Sequence, residues 1–289
     1  TLALRPLRRL RDQLAARAPG ELKPFSENGV HSEVRPLVTA LNDYVQRLAA
    51  LVDGQRRFIA DASHQLRTPL TVLKTEAELA LREKDPQAMR EIVTAFHRTT
   101  DQAVRLANQL LSLARAEPGA AVPALQAFDL RAAARQACLD HAPRAVANHI
   151  DIGFDDGALP PESRVEIMAD PLLLHELLAN LLDNALRYTP RGGAVTVRVG
   201  VTEAPSAIQL EIEDNGPGIA PELREKAFDR FYRAPDNTLP GAGLGLAIVG
   251  EICASHNAQI TLSDGAGGKG LLVSIRFPQT STKSNHGSD

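Results

Sequence analysis

Cysteine is scarce in this sequence: Cys138 and Cys253 are the only two in 289 residues. They lie far apart and neither belongs to a CxxC pair, which argues against a disulfide framework and a structural zinc site and suits a reducing compartment. An excess of basic charge is also missing. Lys and Arg number 32 against 35 Asp and Glu, a net charge of −3. That balance lacks the basic footprint of a nucleic-acid binder. No apolar run approaches the ~20 residues of a membrane span. What is present, 44% hydrophobic and 23% charged residues, is the make-up of a globular chain, long enough for about two domains with connecting pieces.

The chain opens on Thr1 and not Met. Arg5, Arg8, Arg9, Arg11 and Arg17 follow, with Asp12 the single acid among them. Such a cluster reads as a solvated helix face or as the cytoplasmic flank of a membrane span. Residues 1–18 have a helical pattern ended by Pro19-Gly20. After a connector with Pro24, Asn28 and Gly29, a second helix starts near Ser32, with Leu37, Leu41, Val45 and Leu48 on one stripe.

A longer helix is expected from about Asp53 to Arg82. Its stripe (Ile59, Ala62, Leu66, Leu70, Leu73, Ala77, Ala80) is spaced like a coiled-coil seam. Asp85-Pro86 ends it and opens another helix with Ile92, Phe96, Thr99, Ala103, Leu106, Leu110 and Leu113. One hairpin buries only one seam, so two hairpins pairing into a four-helix bundle, and hence a homodimer, are expected. Past a linker marked by Pro118, Gly119 and Pro123, the pattern turns to mixed α and β. Helices are expected at 129–145, 171–188 and 243–256, with strands near 148–154, 164–168, 194–201, 207–213, 258–262 and 271–277. Residues beyond 279 are polar.

Four short stretches carry chemistry. His64 lies about opposite the apolar stripe of its helix, on a face shared with Thr68, Thr71 and Thr75. An exposed histidine is ordinary by itself, but Pro69 five residues on costs about 3 kcal/mol within a helix and marks the region. Asn180 and Asn184, four apart, project from one helix face. Their amide oxygens suit a hard cation that also holds phosphate, with Arg187 and Tyr188 one turn on. Alone, two asparagines near a helix end are equally caps. Asp214-Asn215-Gly216-Pro217-Gly218-Ile219 follows a strand and is either a plain turn or a backbone that lets a ligand approach beside a carboxylate. Gly241-Ala242-Gly243-Leu244-Gly245-Leu246 opens a helix whose first amides suit phosphate, although the strand and the acid of a dinucleotide fingerprint are missing from their required places.

In this order the four stretches resemble the sensor histidine kinases of two-component signalling. Phe58–Leu70 is similar to the phosphoacceptor box, Asn180–Tyr188 to the N box, and Asp214–Ile219 and Gly241–Leu246 to the two glycine boxes. Between those two, Phe228-Asp229-Arg230-Phe231-Tyr232-Arg233 is similar to the F box. Residues 1–52 resemble a HAMP relay module, with Pro6 near the start of its first helix and Glu33 at the start of its second. The Phe58–Leu81 stretch is also similar to that of sensors of tricarboxylate uptake. The resemblance implies a HAMP-like module (1–52), a dimerisation and histidine phosphotransfer domain (53–117), a linker (118–127), a catalytic ATP-binding domain (128–279) and a polar tail (280–289). The implied fold class is α plus α/β: a helical hairpin dimerising into a four-helix bundle, then an α/β sandwich of the Bergerat ATP-binding type.

The resemblance also implies roles. His64 takes the γ-phosphoryl group of ATP on a ring nitrogen and passes it to an aspartate on the receiver domain of a response regulator. Thr68 positions water for the reverse, dephosphorylating task. Asn184, with Asn180, holds Mg²⁺, Asp214 reads the adenine amine, and Gly216, Gly218, Gly241, Gly243 and Gly245 shape the pocket. Arg187, Tyr188, Ile219, Phe228, Arg230, Phe231, Leu244 and Leu246 line it, and residues 219–240 form a flexible lid. Related Bergerat ATPases carry a glutamate where Asn180 stands, and an amide cannot act as a general base, so this site is expected to hold ATP for transfer. An imidazole suits the acceptor role because its neutral form is a nucleophile near neutral pH.

Three departures stand out. Gln65 replaces an acid that can polarise the imidazole N–H, which predicts a slower autokinase. Arg187 replaces the usual lysine, and Ala242 a frequent hydroxyl. A nucleotide-binding signalling scaffold with weak or no catalysis is the alternative that Gln65 favours, and a freestanding ATPase is disfavoured by Asn180. With a HAMP-like module after it, the arginine cluster reads as an inner-membrane flank. The chain is therefore expected to be the cytoplasmic portion of a bacterial inner-membrane protein, anchored by a span outside these residues.

Overall fold

A computed structural model describes residues 22–25, 34–116, 124–157, 160, 163–203, 206–233 and 242–278. The expected helix over 1–18 with its arginine cluster, the cap at Ser32, Glu33, the Pro118–Pro123 linker, Gly241 and the tail lie outside those residues. The chain divides into two compact units, Thr1–Arg67 and Thr68–Asp289.

Helix α1 (Arg35–Arg82) carries residues of both units and runs unbroken through Gly54 and Pro69. The two helices expected at 32–48 and 53–82 are thus one. No proline or capping pair separates them, and a lone glycine costs about 1 kcal/mol without ending a helix. In the first unit Phe25, Val38 and Val45 form a small core, flanked by Leu22, Val34 and Leu41. Asn42 clamps the incoming chain: Phe25 N–H donates to its Oδ1 (2.6 Å) and its Nδ2 donates to the Phe25 carbonyl (3.0 Å). The buried stripe here is Val38–Asn42–Val45, and Leu37 and Leu48 face outward.

In the second unit, Asp85 caps α2 (Pro86–Ala116) by accepting from Ala88 N–H at 3.0 Å. Thr99 of α2 donates to Glu76 at 3.3 Å, joining the two arms of the hairpin. Leu106, Leu110, Leu113 and Ala116 at the far end of α2 are buried.

The remaining residues form the expected α/β layers. A five-stranded sheet has the order β2 (Asp151–Asp155), β4 (Ala194–Glu203), β5 (Ser206–Asp214), β7 (Leu271–Pro278), β6 (Gln259–Asp264), with only β2 and β4 parallel. Strand alternation gives it one apolar face: Val195, Val197 and Val199 on β4, Ile208, Leu210 and Ile212 on β5, and Val273, Ile275 and Phe277 on β7 are buried. Helices α3 (Leu130–Ala147), α4 (Pro171–Tyr188) and α5 (Gly245–Ser255) cover the sheet. A small ribbon of β1 (Gln126–Asp129) and β3 (Glu166–Ala169) lies before α3 and α4. Four-residue β1 was not expected from sequence, being too short for an alternating pattern to register. Among the described residues no helix is long and apolar enough to cross a membrane.

Candidate functional site

Helix α4 is fixed firmly at its start. Asp170 accepts from Leu172 and Leu173 N–H at its start, with Pro171 in the first turn. Asp170 N–H in turn donates to Nε2 of buried His256, whose Nδ1 meets the Ile252 carbonyl at 2.8 Å. Leu173, Leu174, Leu177, Leu178, Leu181 and Leu182 are buried, each worth about 1.5–3 kcal/mol. That anchorage sets the rotation of the helix, and with it the direction of Asn180 and Asn184. Asn180 is only 4% exposed, while Asn184, Arg187 and Tyr188 are half-buried.

Asp214 ends β5 and is 7% exposed. Burial pushes its carboxyl above the usual range, opposed by N–H groups of Gly216 and Leu271. Gly216 N–H donates to Asp214 Oδ1 at 2.9 Å. A side chain on Gly216 would come 2.7 Å from the Tyr188 carbonyl, so the turn after Asp214 is pressed against the end of α4. Gly218, at φ +73°, would meet the Gly270 carbonyl at 2.6 Å. Gly245, the first residue of α5, lies so close to Asn184 that a Cβ there would sit 2.8 Å from its Nδ2. Strand end, N-box helix and second glycine stretch therefore converge on one place. Next to it, the buried Thr189 hydroxyl has no hydrogen-bond partner among the described residues.

The F-box stretch is folded and anchored. Two 3-10 turns, Pro221–Leu223 and Lys226–Phe228, fill the first part of the expected lid. Arg224 holds them by donating to the Ile219 carbonyl (3.0 Å) and to Asp264. Phe228 packs beneath Gly250 of α5, and Arg230 pairs with Glu251 at 2.8 Å. Phe231 N–H donates to the Gly243 carbonyl at 2.9 Å. Both residues are left-handed, Phe231 at φ 62° and Gly243 at φ 70°, and at Phe231 that conformation is costly. Leu244, the buried N-cap of α5, makes no side-chain cap bond. Leu246, in its first turn, is half-buried.

His64, Gln65 and Thr68 are all exposed on α1, as the outward face predicts. Ala62 and Leu66 are half-buried, but Ile59 (56% exposed) and Leu70 (58%), seam residues in the sequence pattern, are open in a single chain.

These residues fit a magnesium nucleotide. A buried carboxylate at a strand end, an orphan hydroxyl, amide oxygens on one helix face and a helix start without a side-chain cap are the donor set such a ligand needs. No group of three or more His, Cys, Asp or Glu able to hold a metal occurs among the described residues, so a cation here would rely on amide and phosphate oxygens. Sequence reading missed Gln109, Glu176, Asp183 and Thr189. Gln109 Nε2 donates to Asn180 Oδ1 at 3.1 Å. Asp183 meets α3, accepting from Arg144 and lying 3.7 Å from His141 Nε2. No spacing rule reveals the Gln109 and Asp183 contacts, because each joins residues distant in sequence; only Glu176, four residues before Asn180, lies at a helical spacing.

Three family models match. Residues 169–281 match the histidine kinase-, DNA gyrase B- and HSP90-like ATPase, residues 54–119 the His Kinase A (phospho-acceptor) domain, and residues 4–50 the Sensor protein PhoQ-like HAMP domain. Sensor protein QseC of Salmonella typhi is 38% identical over 95% of this chain and 59% of its own length. Sensor protein kinase PmrB of Pseudomonas aeruginosa is 36% identical over 96% and 57%. The chain thus spans just under three fifths of these relatives. Among solved structures, the complex of histidine kinase ThkA with response regulator protein TrrA aligns over 81% of this chain and 64% of that one, at TM-score 0.62 and 20% identity. The histidine kinase AdeS of Acinetobacter baumannii aligns over 74% and 96%, at 0.58 and 23%. At those identities the likeness is one of fold.

Proposed function

Because this chain belongs to the sensor histidine kinases of two-component signalling, we propose that it phosphorylates itself on His64 from ATP and relays the group to a response regulator. The observation that carries this reading is the convergence of Asp214, Asn184 and the glycine turns at Gly216 and Gly245 on one pocket. Asp214 accepts from the purine amine, Tyr188 packs on the base, and Arg187 and the start of α5 receive phosphate oxygens. Phe228, Arg230 and Phe231 anchor the pocket wall. Magnesium, held by Asn184 and Asn180, would neutralise phosphate charge in the transferring complex. A neutral ring nitrogen of His64 attacks the γ-phosphorus. An N–P bond forms, the bond to the β,γ-bridging oxygen breaks, and ADP leaves. The phosphoryl group then moves to a carboxylate of the regulator's receiver domain, restoring the imidazole. Thr68, one turn from His64, positions water for the regulator's dephosphorylation.

The open Ile59 and Leu70 support a second copy of the hairpin completing a four-helix bundle. The modules run 1–52, 53–117 and 128–279, and the HAMP-like module fits the cytoplasmic side of a membrane-anchored sensor. Incubation with γ-labelled ATP and Mg²⁺ tests the activity: acid-labile label on the native chain and none on His64→Ala is expected. Label that survives the substitution overturns the assignment. Nucleotide binding without any label would instead favour the scaffold reading.

A further inference from the structure

Asn180 and Asn184 stand on the same face of α4 but are held differently. Asn184 is half-buried beside Gly245. Asn180 is buried, and its amide is committed on both sides. Nδ2 donates to the Glu176 carbonyl (2.9 Å) and to Glu176 Oε1 (3.3 Å). Those two acceptors fix which end of the amide is nitrogen, so the oxygen, the only cation-binding atom of the side chain, faces α2. There it accepts from Gln109 Nε2 at 3.1 Å. Gln109 is placed by its neighbours: Leu106, Leu110 and Leu113 are buried where the end of α2 lies against α4 and α5.

We infer that Gln109 is a latch on the metal site, a positioning residue that keeps Asn180 Oδ1 aimed at α2 while the end of α2 is docked and whose release frees that oxygen to turn toward a cation. This rests on the reading that Asn180 and Asn184 hold the magnesium of a bound nucleotide. The carbonyl oxygen of a buried amide cannot turn toward a new ligand while one end donates to Glu176 and the other accepts from Gln109. Docked α2 and magnesium nucleotide are therefore competitors, and the coupling is reciprocal. α2 is also an arm of the hairpin, so a movement of the hairpin that lifts residue 109 raises affinity for the loaded nucleotide without touching the base pocket.

The test is titration of a fluorescent ATP analogue into the full chain, in Mg²⁺ and in EDTA. Gln109→Leu keeps the packing and removes the donor. It is expected to bind the analogue about three- to tenfold tighter than the native chain in Mg²⁺, the worth of one neutral hydrogen bond, and equally in EDTA. Gln109→Ala provides a second variant with the same expectation, and thermal melts confirm that both fold. Equal affinities in Mg²⁺, or the same gain in EDTA, overturn the latch. Asn180→Ala and Asn184→Ala separate the two readings. If magnesium dependence persists in both, the metal reading falls and the latch with it. If they abolish it while Gln109→Leu changes nothing, the latch alone falls.

Discussion

Asp214 and His64, the two groups on which the proposed function leans most, sit in opposite surroundings. Asp214 is buried at a strand end, its turn wedged against the Tyr188 carbonyl and its pKa raised by burial. His64 stands exposed on a long helix. The carboxylate's chemistry is made by surroundings drawn from β5, α4 and the Gly270 turn. The histidine's chemistry is intrinsic to the imidazole and needs only presentation. It follows that the α/β region should be intolerant of small steric changes, while the exposed helix should tolerate all but the loss of the reacting group.

The largest stability contrast is in packing. Leu174 on α4 is fully buried, and Leu174→Ala should cost about 2–5 kcal/mol in urea denaturation. Ile59→Ala should change the folding stability of a single chain by no more than about 0.5 kcal/mol and should instead weaken self-association in sedimentation. A large folding loss at Ile59 with no change in association would break the comparison. The next effect is steric. Gly216→Ala puts a methyl 2.7 Å from the Tyr188 carbonyl and 2.9 Å from Asp214 Oδ1. We expect about 1–3 kcal/mol of destabilisation and at least about a tenfold loss of nucleotide affinity, since one kink moves both Asp214 and the end of α4. Unchanged binding by calorimetry would mean that the turn does not shape the pocket.

Phosphoacceptor chemistry should respond to charge more than to shape. Gln65 is exposed next to His64, so replacing it disturbs no packing. Gln65→Glu supplies a carboxylate able to polarise the ring N–H, and a several-fold faster initial rate of labelling is expected, less than the roughly 10²–10⁴-fold of full acid–base catalysis because the amide already orients the ring. An unchanged or slower rate would remove the role given to position 65.

How far the sequence revealed all this depends on the range of the interaction. Helix periodicity and the Asp170-Pro171 and Asp85-Pro86 caps are local, and the structure has α4, α2 and every strand but β1 within a few residues of expectation. His64 is exposed, as are Ile59 and Leu70 of the stripe opposite it, so a single chain does not distinguish the two faces. The union of two expected helices into α1 was missed because no local signal says that a helix continues; only the lack of a stop does. Gln109 against Asn180, Phe231 against Gly243 and His141 against Asp183 are invisible for a different reason. Each depends on how α2, α3, α4 and α5 are seated on the sheet, which no spacing in the chain records.

The smallest effect sharpens the same lesson on the structural side of α4. His141 is pulled above the ordinary imidazole value by the Asp183 carboxylate 3.7 Å from its Nε2, against the effect of burial. Burial alone would raise Asp183, but His141 and Arg144 outweigh it and hold the carboxyl below its usual range. For His141, whose folded pKa is raised, the stabilisation is fully present below about pH 6.5, the unperturbed value, and is lost as pH rises through the folded value. For Asp183, whose folded pKa is depressed, the stabilisation is present above its unfolded value and is lost as pH falls through the folded one. Between those two windows both groups are charged and the tie between α3 and α4 is at full strength. His141→Gln should therefore lower the urea midpoint at pH 6, by about 1 kcal/mol in free energy, and by less as the pH is taken up through the raised folded value of His141. Because Asp183 is turned about 100° around α4 from Asn184 and its partners Arg144 and His141 lie on α3, nucleotide affinity should change little in this variant. A loss of affinity that followed the same pH profile would show that the α3-facing side of the helix and the pocket face are not independent.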